Sequence, residues 1–183
     1  MSYSEVYSFS RDGYAHYYGE VYNANAGSMA VWKILEDKYL DSVDDPYWKI
    51  ITHGEYVSRI FISMCRADNK LIQEIWDLAE PDSQLTEDER IVLRCTFDKC
   101  LVKKDMIDNV IQAYEIFEGS TNLKEVAELL KKAREDPELI AIGFAISLSD
   151  GWTSKGLPDP DDSEERLPYN IFKQEDHWFL GED

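Results

Sequence analysis

The sequence predicts an α+β fold: an N-terminal β-hairpin plus a later strand, packed with about five or six helices and followed by an irregular acidic C-terminal segment. Three observations carry this. Residues 3–22 are aromatic and β-prone around an Asp-Gly turn. Several later stretches place apolar residues at steps of three and four. Residues 139–146 form a short apolar run rich in β-branched residues. A chain of 183 residues with 44% hydrophobic content buries about 70% of its unfolded surface, so its core needs no staples. The expected organisation is one domain over 1–149, with 150–183 docked upon it.

In the hairpin, Ser4 to Phe9 alternate in character, Arg11-Asp12-Gly13 turns the chain, and Tyr14 to Tyr22 return. Asp-Gly suits such a turn because both residues tolerate positive φ. Asn23 to Ser28 break the strand. Ser28 then caps a helix to about Leu40 whose stripe is Met29, Trp32, Leu35 and Tyr39. Asp41 to Pro46 end it. Residues 55–66 (Val57, Ile60, Phe61, Met64) and 69–79 (Leu71, Ile72, Ile75, Trp76, Ala79) read as two further helices, the second closed by Pro81.

Thr86-Glu87-Asp88-Glu89 has the Thr-x-x-Glu form of a capping box and opens a helix over Ile91, Val92 and Cys95. Cys100-Leu101-Val102 suits either a helix end or a strand. Asp105 to Phe117 form the clearest helix, with Met106, Ile107, Val110, Ile111, Tyr114 and Phe117 on one face, and Gly119 stops it. Thr121 or Asn122 caps the next, in which Leu123, Val126, Leu130 and Ala133 point inward before Pro137. Leu139 to Ile146 read as a buried strand paired with the hairpin.

After Ser147 the texture changes. Residues 150–183 carry three prolines and a local charge of −7, yet Trp152, Tyr169, Phe172, Trp178, Phe179 and Leu180 punctuate them. So many large apolar groups predict a segment pinned to the body, with Tyr169, Phe172 and Trp178 as the pins.

The net charge is −18. It argues against direct binding to nucleic acid, which requires a basic footprint, and favours basic protein surfaces as partners. The densest cluster is Asp159, Asp161, Asp162, Glu164 and Glu165, against the lone Arg166, between Pro158 and Pro168. These five carboxylates are the candidate partner-binding residues. An ordinary solvated acidic loop is the plain alternative.

No metal site is expected. An EF-hand loop beginning at Asp159 would need Gly at its sixth position and Glu at its twelfth, where Glu164 and Asn170 stand. Cys95 and Cys100 have a C-x4-C spacing but no second ligand pair, so they read as core thiols. Cys65 completes an odd, low count that fits a reducing cytoplasm.

No catalytic residue or cofactor is expected either. His16, His53 and His177 stand near no recognisable nucleophile motif. His177, after Glu175 and Asp176, reads as a base or, more plainly, a surface ion pair. Asn25-Ala26-Gly27-Ser28 lacks the Lys of a phosphate loop. The start, MSYSEVYSF, has no basic or apolar signal region. No apolar run reaches the ~18 residues of a membrane span.

The hairpin, Gly27 to Glu36, Thr96-Phe97-Asp98-Lys99, Leu167-Pro168-Tyr169-Asn170 and the acidic Trp-containing end together resemble small acidic proteins of bacterial phages and conjugative elements. That group includes type II anti-CRISPR proteins, which inhibit Cas9. The resemblance implies a host-defence antagonist that binds protein in the bacterial cytoplasm and performs no chemistry. It brings no functional residue with it. Cas9 offers a basic nucleic-acid channel and arginines that read the PAM, a fitting place for an acidic protein. The other functional classes left by the sequence are a phage accessory or regulatory interaction module without inhibitory role, and a metal-dependent hydrolase built from Asp, Glu and His177. Oligomeric state is not encoded in any motif.

Overall fold

The computed structural model describes residues 3–22, 85–95, 100–118, 122–146 and 167–181, together with residues 152, 159, 161 and 165. The helices expected over 28–40, 55–66 and 69–79 lie outside them, as does Cys65.

The described residues form one five-stranded mixed sheet and three helices. In chain order these are β1 (Tyr3–Ser10), β2 (Ala15–Tyr22), α1 (Glu87–Arg94), β3 (Cys100–Lys103), a 3-10 turn (Lys104–Met106), α2 (Ile107–Ile116), α3 (Leu123–Arg134), β4 (Leu139–Ile146) and β5 (Trp178–Phe179). The strand order is β2-β1-β4-β3-β5. Neighbours are antiparallel except β3 and β5, which run parallel.

This corrects the expected hairpin and single later strand with about five or six helices. Two strands account for the difference in the sheet. Cys100, Leu101 and Val102 are all buried, so β3 shows no period-two alternation and its sequence cannot be told from a helix end. β5 is two residues long, and its pairing with Cys100 and Leu101 is a contact to a distant part of the chain. No local pattern encodes such a strand. β4 is continuously apolar for the same reason as β3: it lies between β1 and β3 and is covered on both faces.

One face of the sheet carries the helices. Val6, Val21, Cys100, Val102, Ile142 and Phe144 pack there against apolar stripes from α1, α2 and α3. The stripe of α3, Leu123, Val126, Ala127, Leu130 and Ala133, follows the helical period. α1 begins with the expected capping box: the Glu89 N–H donates to Thr86 Oγ1 at 3.2 Å, and the Thr86 N–H to Glu89 Oε2 at 2.8 Å. Asn122 precedes α3 but does not cap it with its side chain. Its amide donates instead to the Tyr22 carbonyl at 2.9 Å, tying the helix start to the end of β2.

The helices' outer surface pairs many of its charges. Lys131 meets Glu115 at 2.5 Å and Glu128 at 2.6 Å. Arg134 meets Asp108 and Glu135. Exposed pairs of this kind add little stability, but they locally neutralise the acidic surface.

Candidate functional site

The opposite face of the sheet is where the C-terminal segment docks. Tyr7, Phe9, Ala15, Leu101, Ala141 and Ala145 form a second apolar layer with Trp152, Tyr169 and Ile171. The seat for Trp152 is built by a missing side chain: a Cβ at Gly143 would lie 2.7 Å from the indole nitrogen and 3.0 Å from a Phe9 ring carbon. With glycine there, the indole enters completely, donates its N–H to the Phe144 carbonyl at 3.0 Å and meets Phe9 and Tyr169 edge to face. A buried indole N–H needs such a partner.

The same two aromatics close the acidic loop. The Tyr169 N–H donates to the Trp152 carbonyl at 3.0 Å, and the Tyr169 carbonyl accepts from the Ala15 N–H at 2.8 Å. Trp152 and Tyr169, which bracket the acidic cluster in the sequence, therefore meet at one point on this face of the sheet. A second clasp sits between them in the sequence, where the Asp159 N–H donates to the Glu165 carbonyl at 3.0 Å. Inside it, the Asp161 N–H donates to the Asp159 carboxylate at 2.8 Å, an Asx turn.

Of the five predicted carboxylates, Asp159, Asp161 and Glu165 are thus brought together on one clasped loop. Asp161 and Glu165 are exposed and Asp159 half-exposed. Among the described residues no cation pairs with any of these three, in contrast to the helical surface. Asp162 and Glu164 lie outside the described residues. Among those residues, no group of three His, Cys, Asp or Glu side chains is arranged to hold a metal.

A second anchor follows at Asn170. Its side-chain amide donates to the Asp12 carbonyl at 3.0 Å, and its side-chain oxygen accepts from the Phe172 N–H at 2.9 Å. The Ile171 N–H reaches the Gly13 carbonyl at 3.0 Å. Gly13 has φ of +80°, and a Cβ there would fall 2.4 Å from the Phe172 ring. Glycine is therefore required twice, for the left-handed turn and for the approach of the C-terminal segment. Of the three expected pins, Tyr169 is fully buried and Trp178 half-buried, but Phe172 stays 66% exposed.

The Tyr169 hydroxyl lies 2.6 Å from Asp176 Oδ1 and 2.9 Å from His177 Nδ1. The hydroxyl has a single proton and donates it in a hydrogen bond to the Asp176 carboxylate oxygen. His177 Nδ1 must then carry hydrogen and donate, which leaves the lone pair of the neutral ring on Nε2. Burial raises the Tyr169 hydroxyl far above its ordinary value, and the hydrogen bond to Asp176 adds to that. Burial lowers the His177 pKa, against a smaller opposing pull from Asp176. His177 is therefore a half-buried ring packed against Tyr169 and Phe179, with no Ser or Cys hydrogen-bonded to it among the described residues.

Cys95 and Cys100 are buried free thiols in the helical-face core. Burial, then the neighbouring Cys95, pushes the Cys100 thiol well above its usual value. Sequence reasoning named the acidic cluster from its composition and, of the three aromatic pins, placed Tyr169 and Trp178 correctly and Phe172 wrongly. It missed Gly143 and Asn170 as anchors. Their only signals were a glycine inside an apolar strand, which marks close approach, and an Asn after Pro168-Tyr169.

The described residues thus define a mixed sheet with three helices on one face and, on the other, Trp152 and Tyr169 joined at the two ends of the acidic segment. Compared with family models, curated proteins and solved structures, the chain matches none. No helix of the described residues is long and apolar enough to cross a membrane.

Proposed function

We propose that this chain is a non-enzymatic, acidic binding protein of a mobile element. It inhibits a nucleic-acid-processing effector in the bacterial cytoplasm by occupying a basic surface, and works without a cofactor. CRISPR-Cas9 is the effector indicated by the resemblance of the sequence to type II anti-CRISPR proteins. The observation that carries the reading is the double clasp, Trp152–Tyr169 and Asp159–Glu165, which brings together Asp159, Asp161 and Glu165, exposed or half-exposed and paired with no cation among the described residues, on a chain of net charge −18. A loop closed before binding loses less conformational freedom on association than an open one. Clustered carboxylates speed encounter with a Lys/Arg-rich surface and disfavour acidic partners.

A Cas9 cleavage assay with titrated protein tests the reading. The expected result is dose-dependent loss of cutting, relieved by raised salt. Changing Asp159, Asp161 and Asp162 to Asn and Glu164 and Glu165 to Gln weakens inhibition and flattens its salt dependence. Undiminished cutting by several Cas9 orthologues at large excess of inhibitor refutes Cas9 as the target. Unchanged affinity of the neutralised variant removes the loop from the contact.

A further inference from the structure

β2 concentrates exposed aromatic surface: Tyr17, Tyr18 and Tyr22 all belong to it, and Tyr17 is 53% exposed. A large rigid ring with a polar tip suits tyrosine to interfaces. Tyr17 stands opposite Tyr7, on the sheet face that also seats Trp152. The two rings meet edge to face, 5.8 Å apart at 80°, so the buried Tyr7 steadies the exposed ring. At the next pair Val6 faces Gly19, which makes Tyr18 the extra residue of a bulge. Bulges gather at sheet edges and beside functional sites, and β2 ends the sheet among the described residues.

The same face carries an electrostatic conflict. Glu5 lies directly opposite Glu20, and like charges so placed destabilise a sheet. Strand residues two apart share a face, which puts Glu5 beside Tyr7. The Tyr7 hydroxyl donates to Glu5 Oε2 at 2.6 Å. That bond orients the carboxylate but uses only one of its roughly four acceptor sites. Both carboxylates also reach Tyr17: burial raises its pKa, and the charges of Glu20 and then Glu5 raise it further. Glu5 and Glu20 are half-buried, and among the described residues neither is paired with a cation. A single positive charge between them would turn one repulsion into two attractions.

We propose that Glu5, Tyr17 and Glu20 receive one arginine side chain of a protein partner, its guanidinium bridging the two carboxylates and lying against the Tyr17 ring. Arginine fits this site better than lysine. Its planar fork of five donors serves two carboxylates at once, and its weakly hydrated cation stacks on aromatic faces. The site is separate from the carboxylates of residues 159–165 and does not depend on the function proposed for them.

Titration of the 15N-labelled full chain with the peptide acetyl-Gly-Ser-Arg-Ser-Gly-amide tests the proposal, with lysine and citrulline versions as controls. Salt at about 0.15 M screens charges more than about 8 Å away, so the distant acidic loop adds little. Amide shifts centred on Glu5, Tyr17 and Glu20 are expected to saturate with the arginine peptide below about 10 mM. Arginine is expected to bind at least about tenfold more tightly than the neutral citrulline and about threefold more tightly than lysine. Glu5→Gln/Glu20→Gln brings the arginine peptide down to the affinity of citrulline, whereas neutralising Asp159, Asp161 and Glu165 leaves it unchanged. If the first variant does not fold, Tyr17→Leu at its exposed position decides, with an expected loss of about threefold. Equal binding of the arginine and citrulline peptides, or of the arginine and lysine peptides, overturns the proposal. So do shifts centred elsewhere, no saturation by about 10 mM, or an arginine affinity that these substitutions at Glu5, Glu20 and Tyr17 leave unaltered.

Discussion

Gly143 and Trp152 fit each other as a gap fits its filling: a methyl group on residue 143 would stand 2.7 Å from the indole nitrogen. The relation links the centre of the sheet to the start of the acidic loop, since Trp152 also supplies the carbonyl that Tyr169 closes upon. Gly143→Ala is expected to displace the indole and destabilise the protein by about 1–3 kcal/mol, the usual range for overpacking. Urea unfolding gives the loss, and a changed tryptophan emission in the folded baseline reports the displaced ring. An unchanged midpoint and spectrum would show that β4 yields without cost.

The Tyr169–Asp176–His177 cluster predicts a stability that declines on both sides of neutrality. The folded His177 pKa lies below its ordinary value of 6.5. The unfolded chain therefore takes up the proton first on acidification, and stability falls as pH drops through about 6.5. Tyr169 has the opposite displacement, its folded value lying above the ordinary 10.0. Its contribution is complete below pH 10 and is lost as pH rises beyond it. Denaturant midpoints measured from pH 5 to 11 should show an acid component removed by His177→Gln. Tyr169→Phe should remove the alkaline component and cost about 1 kcal/mol, since the exposed Asp176 can turn to water.

The two core thiols predict selective chemistry. Cys95 and Cys100 are 1% and 0% exposed, and the raised Cys100 value keeps that sulfur protonated at neutral pH. Because the thiolate is the reactive form, iodoacetamide at pH 7.5 should label neither in the native protein and both in denaturant. Peptide mass spectrometry reads the result. Rapid native labelling of either residue would place it at an accessible surface.

What the sequence disclosed, and what it withheld, follows from the range of the interactions. The hairpin, the Thr86–Glu89 capping box and the stripes of α2 and α3 depend on residues two to four apart, so they can be read locally. The strand at Leu139–Ile146 was legible because its β-branched run is too short for most helices. β5 was not, because Trp178 and Phe179 become a strand only when Cys100 and Leu101 lie beside them. Burial of β3 on both faces removed the alternation that distinguishes a strand from a helix end. At the acidic loop, composition gave the charges and nearby aromatics suggested a tether. The tether itself depends on Gly143 accommodating Trp152 and on Asn170 meeting the Asp12–Gly13 turn, and those pairs join positions far apart in the chain. Phe172 was expected among the pins because it is aromatic, but its ring stays outside.

Asn170 offers the most direct way to separate loop position from loop charge. Its side chain ties residue 172 to residue 12 through two hydrogen bonds, and it is 2% exposed. Asn170→Ala leaves the Asp12 carbonyl and Phe172 N–H without those partners, at an expected cost of about 1–3 kcal/mol. The substitution changes no charge, so long-range attraction to a basic surface should persist. If the clasped loop is the binding element, looser tethering should raise the dissociation rate while leaving the association rate and its salt dependence nearly unchanged. Neutralising the carboxylates should do the reverse, slowing association and reducing its response to salt. Surface plasmon resonance of both variants against Cas9 distinguishes the two effects. Equal kinetics for Asn170→Ala and the native chain, with the expected stability loss present, would show that the tether serves folding and leaves recognition untouched.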